Sequence, residues 1–174
     1  MADAPAPPPP PTLADRLGAL LGPRLAGAET GRDMATLTAR PDLVHEALQR
    51  LRDDRSWRFE LLVDLTAVDY LGYPAGRPGR FAVVYHLHSL RLEERVRVQA
   101  FLPAESPEIA SASDLWGNAE WLEREVYDLY GIRFTGHPDL RRILMPDDYL
   151  GHPLRKDYPL RGRGERDSFP EVQA

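Results

Sequence analysis

The stretch Arg95–Phe101 reads RVRVQAF, and its alternation restricts the fold more than any other feature of the chain. Successive side chains of a strand point to opposite sides. Val96, Val98 and Ala100 therefore share one face, and Arg95, Arg97 and Gln99 share the other. A strand with one apolar and one polar face belongs in a sheet covered on one side only, as antiparallel sheets commonly are. Two neighbours can pair with it. Phe59–Val68 (FELLVDLTAV) puts Leu61, Val63, Leu65 and Ala67 on one face, and Phe81–Leu87 (FAVVYHL) puts Phe81, Val83, Tyr85 and Leu87 on one face. The Gly- and Pro-rich loop GYPAGRPG between them reads as an exposed turn.

Helical patterns surround these strands. Thr12 can cap a short helix holding Leu13, Leu17, Leu20 and Leu21, which Gly22-Pro23 ends. Two short strands follow near Leu25–Glu29 and Met34–Thr38, with Gly31 in the turn. Pro41 sits where a helix begins, and Leu43, Val44, Ala47, Leu48 and Leu51 form the stripe behind it. The last helix runs from Asn118, as N-cap, to Gly131 at the C′ position, with Ala119, Leu122, Val126 and Leu129 as its buried stripe. This order predicts an α+β fold: an antiparallel or mixed sheet with helices on one face, followed by a long extended C-terminal tail. Residues 13–131 form the α+β domain, residues 1–12 a disordered Pro-rich tail, and residues 132–174 an extended, partner-wrapping tail.

Composition excludes some chemistry. The chain has 174 residues, no cysteine and a net charge of −5. Without cysteine there is no disulfide, no thiolate-bound iron–sulfur cluster and no thiol nucleophile. The charge gives no sign of a nucleic-acid partner. No apolar run approaches the ~18 residues of a membrane span, and the Ala- and Pro-rich start lacks the features of a secretory signal. Membrane association is therefore expected to be peripheral. No GxGxxG, P-loop or GxSxG is present, so nothing cradles a nucleotide or presents a nucleophilic serine.

Two groups of polar residues remain as candidates. The last helix, NAEWLEREVYDLY, carries Glu125 and Asp128 three apart on one face, and Arg124 lies four from both Glu120 and Asp128. Paired carboxylates can serve acid–base or metal chemistry; the alternative is a solvated face laced with ion pairs. His86 and His88 share one strand face and could open a metal site, or be ordinary sheet histidines beside Ala82 and Val84. The tail repeats a motif: GHPDLRR at 136–142 and GHPLRKD at 151–157. Pro138, Pro146, Pro153 and Pro159 forbid a long helix there and hold the preceding residues extended. Arg141, Arg142, Arg155 and Lys156 lie amid Ile143, Leu144, Met145, Leu154 and Tyr158, which is how an arm laid on a partner is built.

The run from Glu123 to Leu144, ERE-VY-D-LY-GIRFTG-H-PDL-R-R-IL, resembles the signature of the 30-kilodalton subunit family of respiratory complex I. Pro146–Leu160 (PDDYLGHPLRKDYPL) resembles the family's tail, Asp64–Tyr70 (DLTAVDY) its central strand, and Asp114–Glu125 (DLWGNAEWLERE) the entry to its last helix. The resemblance implies a non-catalytic subunit without cofactors, in the peripheral arm of NADH:quinone oxidoreductase. FMN and iron–sulfur clusters would reside in partner subunits. It implies packing on the large subunit that helps form the quinone site, contact with neighbouring iron–sulfur subunits, and a place on the cytoplasmic face of the bacterial inner membrane. Mapped onto the motif, Glu123, Arg124, Glu125 and Asp128 would lock the last helix to the following loop and the partner. His137, Asp139, Arg141 and Arg142, then His152, Leu154, Arg155, Lys156, Asp157 and Tyr158, would form the partner interface. The rival readings are the equivalent subunit of a membrane-bound hydrogenase or ferredoxin-linked complex, a small metal-dependent hydrolase using His86, His88 and the helix carboxylates, and a binding module built on the Pro-rich N-terminus.

Overall fold

Thr12 and Asp15 close a capping box at the first helix, α1 (Leu13–Leu21): each side chain accepts the other's backbone amide. In this computed structural model residues 9–74 and 76–164 are described. Most of the expected Pro-rich tail (residues 1–8) and the last part of the expected arm (residues 165–174) lie outside the described residues. A hairpin follows α1, formed by β1 (Leu25–Thr30) and β2 (Ala35–Ala39), with the Gly31 amide bonded to the Met34 carbonyl in its turn. Pro41 opens a single 3-10 turn, and α2 (Val44–Asp53) continues from it with Val44, Ala47, Leu48 and Leu51 buried.

The central strands are β3 (Leu61–Asp69), β4 (Phe81–Ser89) and β5 (Glu94–Leu102). They form an antiparallel meander, and β2 joins its edge by lying parallel to β5, so the five-stranded sheet runs β1–β2–β5–β4–β3. The sheet is thus mixed. Leu37, Val83, Tyr85, Leu87, Val96, Val98 and Ala100 are buried in one core with the apolar stripes of α1 and α2. Arg97, Gln99, Thr38 and His86 occupy the opposite face, as the alternation of β5 requires.

Strand β3 departs from its expected facing. Leu65 and Ala67 are buried, but Leu61 is exposed, Val63 is 53% exposed, and Leu62 is buried instead. Leu62 pairs with Leu87 and Asp64 with His86, which leaves Val63 as an extra residue on β3. This bulge shifts the alternation by one position, and every side chain before it changes face.

The third helix, α3 (Ala119–Tyr130), ends at Gly131 in the left-handed region (φ 70°), as expected. Its start differs. The Asn118 side chain makes no cap bond and donates instead to the Leu62 carbonyl at 2.9 Å, tying the helix to the bulged strand. The buried stripe also differs. Ala119 and Val126 are buried, but Leu122 and Leu129 are only half-buried, and Glu123, Arg124 and Asp128 take interior positions. Two short strands, β6 (Glu108–Ala110) and β7 (Arg133–Thr135), pair in parallel beside α3. At three residues each they are too short to leave a periodic signal, and Ile132 and Phe134 extend the core past residue 131.

Candidate functional site: a charged helix and the strap it holds

After β7 the chain forms no helix or strand up to residue 164. It crosses α3 and the adjacent end of the sheet as a strap of turns, closed by the bonds Tyr149 to Pro146, Arg155 to His152, Tyr158 to Arg155 and Gly162 to Pro159. Four prolines account for this: each removes a donor and restricts the residue before it.

The helix holds the strap by its charged side chains. Asp128 is fully buried, and one carboxylate oxygen accepts the amides of Ile143 (3.0 Å), Leu144 (2.8 Å) and Met145 (2.8 Å). The other meets the Arg142 guanidinium at 2.5 Å. Burial alone would push this carboxyl up. The Met145 and Leu144 amides, the Arg142 guanidinium and the Ile143 amide outweigh it and hold Asp128 below the ordinary carboxylate range. Arg142 then continues outward, donating to the carbonyls of Tyr149 (2.8 Å) and Gly151 (3.0 Å). With a further bond to the Asp128 carbonyl at 3.3 Å, its planar fork spans four acceptors that a lysine could not reach together. Arg124, also buried, donates to the carbonyls of Arg141 (3.1 Å) and Arg142 (2.9 Å). The expected pairs of Arg124 with Asp128 and Glu120 do not occur, because Arg124 and Asp128 both turn to strap backbone.

Glu123 works on the opposite side of the helix. It accepts from the Ser111 hydroxyl and the Ala112 amide, each at 2.6 Å, and so fastens α3 to the segment after β6. Among the described residues no cation neutralises it within hydrogen-bonding reach, and burial outweighs these bonds to raise its pKa. The fully buried Tyr85 hydroxyl has its pKa raised too, by burial and by the Glu123 charge. Glu125, by contrast, is exposed, so the helix does not assemble the Glu125–Asp128 carboxylate pair that the spacing allowed.

Each GHP segment returns its histidine to the same helix. The His137 Nδ1 accepts the Asp139 amide at 3.0 Å, so its Nε2 carries the proton and donates to the Glu120 carbonyl at 2.9 Å. His152 donates through Nδ1 to the Asp128 carbonyl at 2.8 Å. Burial leads in lowering its pKa, which keeps it neutral. Arg155 bonds the Tyr130 carbonyl at 2.6 Å, and the Leu154 amide bonds the Leu129 carbonyl at 3.1 Å, so two carbonyls of the helix end find partners. A Cβ on Gly131 would collide with the His152 ring, and one on Gly151 would lie 2.8 Å from the Tyr158 ring. Both positions also have positive φ, so the strap fits only with glycine at each.

A second clamp was not legible beforehand. Asp69 at the end of β3 pairs with Arg80 (2.9 Å) and accepts the Lys156 amide (3.0 Å), while Arg80 also pairs with Asp157 (2.8 Å). The signal available was an aspartate ending an apolar strand directly across from the start of β4. Tyr149 and Tyr158 join their hydroxyls at 2.6 Å within the strap. Asp139 and Arg141 pair with each other on the surface.

Aliphatic side chains stand outward on the strap, among the exposed charges of Asp139, Arg141, Asp147, Asp148, Lys156 and Asp157. Leu144 is 60% exposed, Leu150 78% and Leu160 96%, with Ile143 and Leu154 also exposed. Trp121 stands exposed on α3, with the Arg124 guanidinium over its ring at 5.2 Å. The sheet histidines take no part in this arrangement: His86 accepts from Arg97 at 3.1 Å on the open sheet face, and His88 lies on the same strand, β4. The described residues contain no group of three or more His, Cys, Asp or Glu placed to hold a metal. None of their helices is long and apolar enough to cross a membrane.

Known proteins resemble this chain in sequence and in fold. The family model described as "Respiratory-chain NADH dehydrogenase, 30 Kd subunit" matches residues 37–164. A protein of Citrifermentans bemidjiense named as a subunit of NADH-quinone oxidoreductase is 51% identical over 131 residues, covering 75% of this chain and 78% of its own. A protein of the same name from Polynucleobacter necessarius is 44% identical over 164 residues, covering 92% and 82%. Among solved structures, a trypsin-resistant fragment of Nqo5 superposes with a TM-score of 0.58 at 39% identity, covering 65% of this chain and 88% of that one. A chain of a membrane-bound sulfane sulfur reductase, an archaeal respiratory membrane complex, superposes with a TM-score of 0.67 at 22% identity, covering 83% and 82%, and shares the fold.

Proposed function

The chain belongs to the 30 kDa subunit family of respiratory-chain NADH dehydrogenase, and from that premise we propose that it is a non-catalytic docking subunit whose strap carries a neighbouring protein of the complex. One observation carries this reading: the strap is held from beneath through Arg142, Arg124 and Asp128, while five of its aliphatic side chains stand outward among exposed charges. An isolated chain gains nothing from exposing Ile143, Leu144, Leu150, Leu154 and Leu160 together with Trp121; a row of such groups marks a protein interface.

In this reading the motif residues divide by role. Glu123, Arg124, Asp128, His137, Arg142, His152 and Arg155 position the strap, and Trp121, Leu144, Leu150, Leu154 and Leu160 meet the partner. Exposed Glu125, Asp139, Arg141, Lys156 and Asp157, with half-buried Tyr158, supply the polar rim that sets register. The partner proposed is the large complex I subunit that helps form the quinone site, with iron–sulfur subunits of the peripheral arm beside it. FMN and the clusters reside in those partners. Attachment to the cytoplasmic face of the inner membrane is then indirect, through the complex. The fold is shared with a sulfane sulfur reductase and does not select the electron donor; the relatives at 44% and 51% identity favour NADH.

The test is assembly. Replacing Leu144 and Leu150 by Asp in the full chain should leave it folded, remove it from the purified membrane complex, and lower NADH:quinone activity in step with subunit loss. Retention of the variant in a fully active complex would overturn the reading.

A further inference from the structure

The other end of the sheet carries the reverse arrangement, and it supports an inference independent of the strap. Arg55 lies in the turn after α2, Arg58 just before β3, and Arg91 in the turn between β4 and β5. With Arg52 and Asp53 they line a concavity of about 570 Å³. The turns that carry them are fixed to one another. The Arg91 guanidinium donates to the Arg55 carbonyl at 2.7 Å, and the buried Ser89 hydroxyl donates to the Trp57 carbonyl at 2.6 Å. Asp53, the carboxylate lining the concavity, is occupied by Arg52 at 2.6 Å. Among the described residues, Arg55, Arg58 and Arg91 form no ion pair. Arg58 also holds a left-handed backbone (φ 42°), a conformation costly for any residue with a Cβ.

We propose that this end is a docking surface for an acidic segment of a second protein, distinct from whatever covers the strap. Three like charges gathered in one concavity of a chain with net charge −5 repel one another, and an incoming carboxylate cluster removes that repulsion. Guanidinium groups suit carboxylates because the fork can bind both oxygens. Phosphate would be served by the same fork. The carbonyl end of α2 beside the concavity favours neither anion, so the apolar surroundings decide between them. Leu90, 57% exposed beside Arg91, and exposed Leu61 add the apolar contact that a protein segment uses and a free anion does not. The strap clamp at Asp69 and Arg80 lies at the far end of β3 and β4, roughly 25–30 Å away at ~3.3 Å per residue.

Two measurements test it. With the full chain, titrate a short synthetic peptide of alternating Asp and Leu, then pyrophosphate, then phosphatidylglycerol vesicles. The peptide should bind, and its affinity should fall about tenfold or more in a chain carrying Arg55→Glu, Arg58→Glu and Arg91→Glu, while Arg133→Glu on β7 changes little. If the triple variant fails to fold, each single variant is titrated, and the losses should share the same salt dependence. Equal binding by the charge-reversed chain, or preference for pyrophosphate or vesicles, would overturn the proposal. In the purified complex, a photo-crosslinking residue in place of Leu90 should attach to a protein segment rich in Asp and Glu. Attachment to lipid, or to a segment without carboxylates, would overturn it too.

Discussion

The sheet-and-helix body and the strap that runs over it bury opposite kinds of side chain. Inside the body lie Phe59, Phe81, Tyr85, Leu87 and the stripes of α1 and α2, while Arg95, Arg97 and Gln99 face away from that core. Under the strap lie a carboxylate, guanidinium groups and two histidines, while leucines face out. The body is held by removing apolar surface from water, a force that needs no particular geometry. The strap is held by a few directed bonds to charged groups, each dependent on one partner at one position. The first tolerates substitution by gradual loss; the second fails at single atoms.

Breaking the body should cost most. Phe81→Ala leaves a cavity beneath the sheet, and thermal or urea denaturation should show a loss of ~3–5 kcal/mol with the whole fold affected. Asp128→Ala should instead act locally. It strands three amides and a guanidinium, a loss of ~3 kcal/mol confined to the strap. Limited trypsin digestion should then cut after Arg141, Arg142 and Arg155 much faster, while the circular dichroism of the sheet is unchanged. An equal loss of global stability, in one cooperative transition, would show that strap and body are one unit. Arg142→Lys keeps the charge but not the fork, and should cost ~1–2 kcal/mol in the same strap-opening measurement.

Acidity should separate two carboxyls on one helix. The folded-state pKa of Asp128 is depressed, so its stabilisation is present above the unfolded value of about 3.9 and is lost as pH falls through the lower folded value. Asp69, in the second clamp, has the same sign: burial raises it, but Arg80 and the Lys156 and Leu71 amides lower it further. Glu123 is raised, so its contribution is complete below about 4.3 and is lost as pH rises through its higher folded value. The strap should therefore open in strong acid, and Glu123→Gln should remove a decline in stability on the alkaline side of about pH 4.3, both visible in unfolding curves taken across pH. The smallest effect on the chain itself belongs to Trp121→Ala, within ~0.5 kcal/mol, because the ring is exposed. The same change should loosen the assembled complex, measured as subunit lost on washing.

The body was largely legible because its signals are periodic. RVRVQAF, the stripe of α2 and the Gly131 stop all translate directly into position. Val63 was misplaced because a bulge is a pairing event between β3 and β4, and one strand's sequence does not record its partner's register. Asn118 looked like a cap because Asn before a helix usually is one; here a tertiary bond to Leu62 competes and wins. Helix spacing left the charged face of α3 open between a solvated face and a carboxylate site, and only the family resemblance implied that it locks the following loop, as Arg124 and Asp128 do. Its interior position could not be inferred from helix spacing alone, because the groups that satisfy Asp128 and Arg124 are strap backbone atoms, which carry no residue-specific signal. The family motif singles these residues out without fixing the individual bonds they make.

The parallel pairing of β2 with β5 has a consequence for how the chain is made. Ala35 lies against Val96, far later in the chain, whereas β3, β4 and β5 close through short connections. Loop-closure entropy favours the meander as the first structure to form. The residues of β2 leave the ribosome before those of β5 and cannot dock until Leu102 has followed them. For that interval α1 and its hairpin are a waiting segment with an uncovered edge, and the speed of synthesis sets how long the nascent chain carries it.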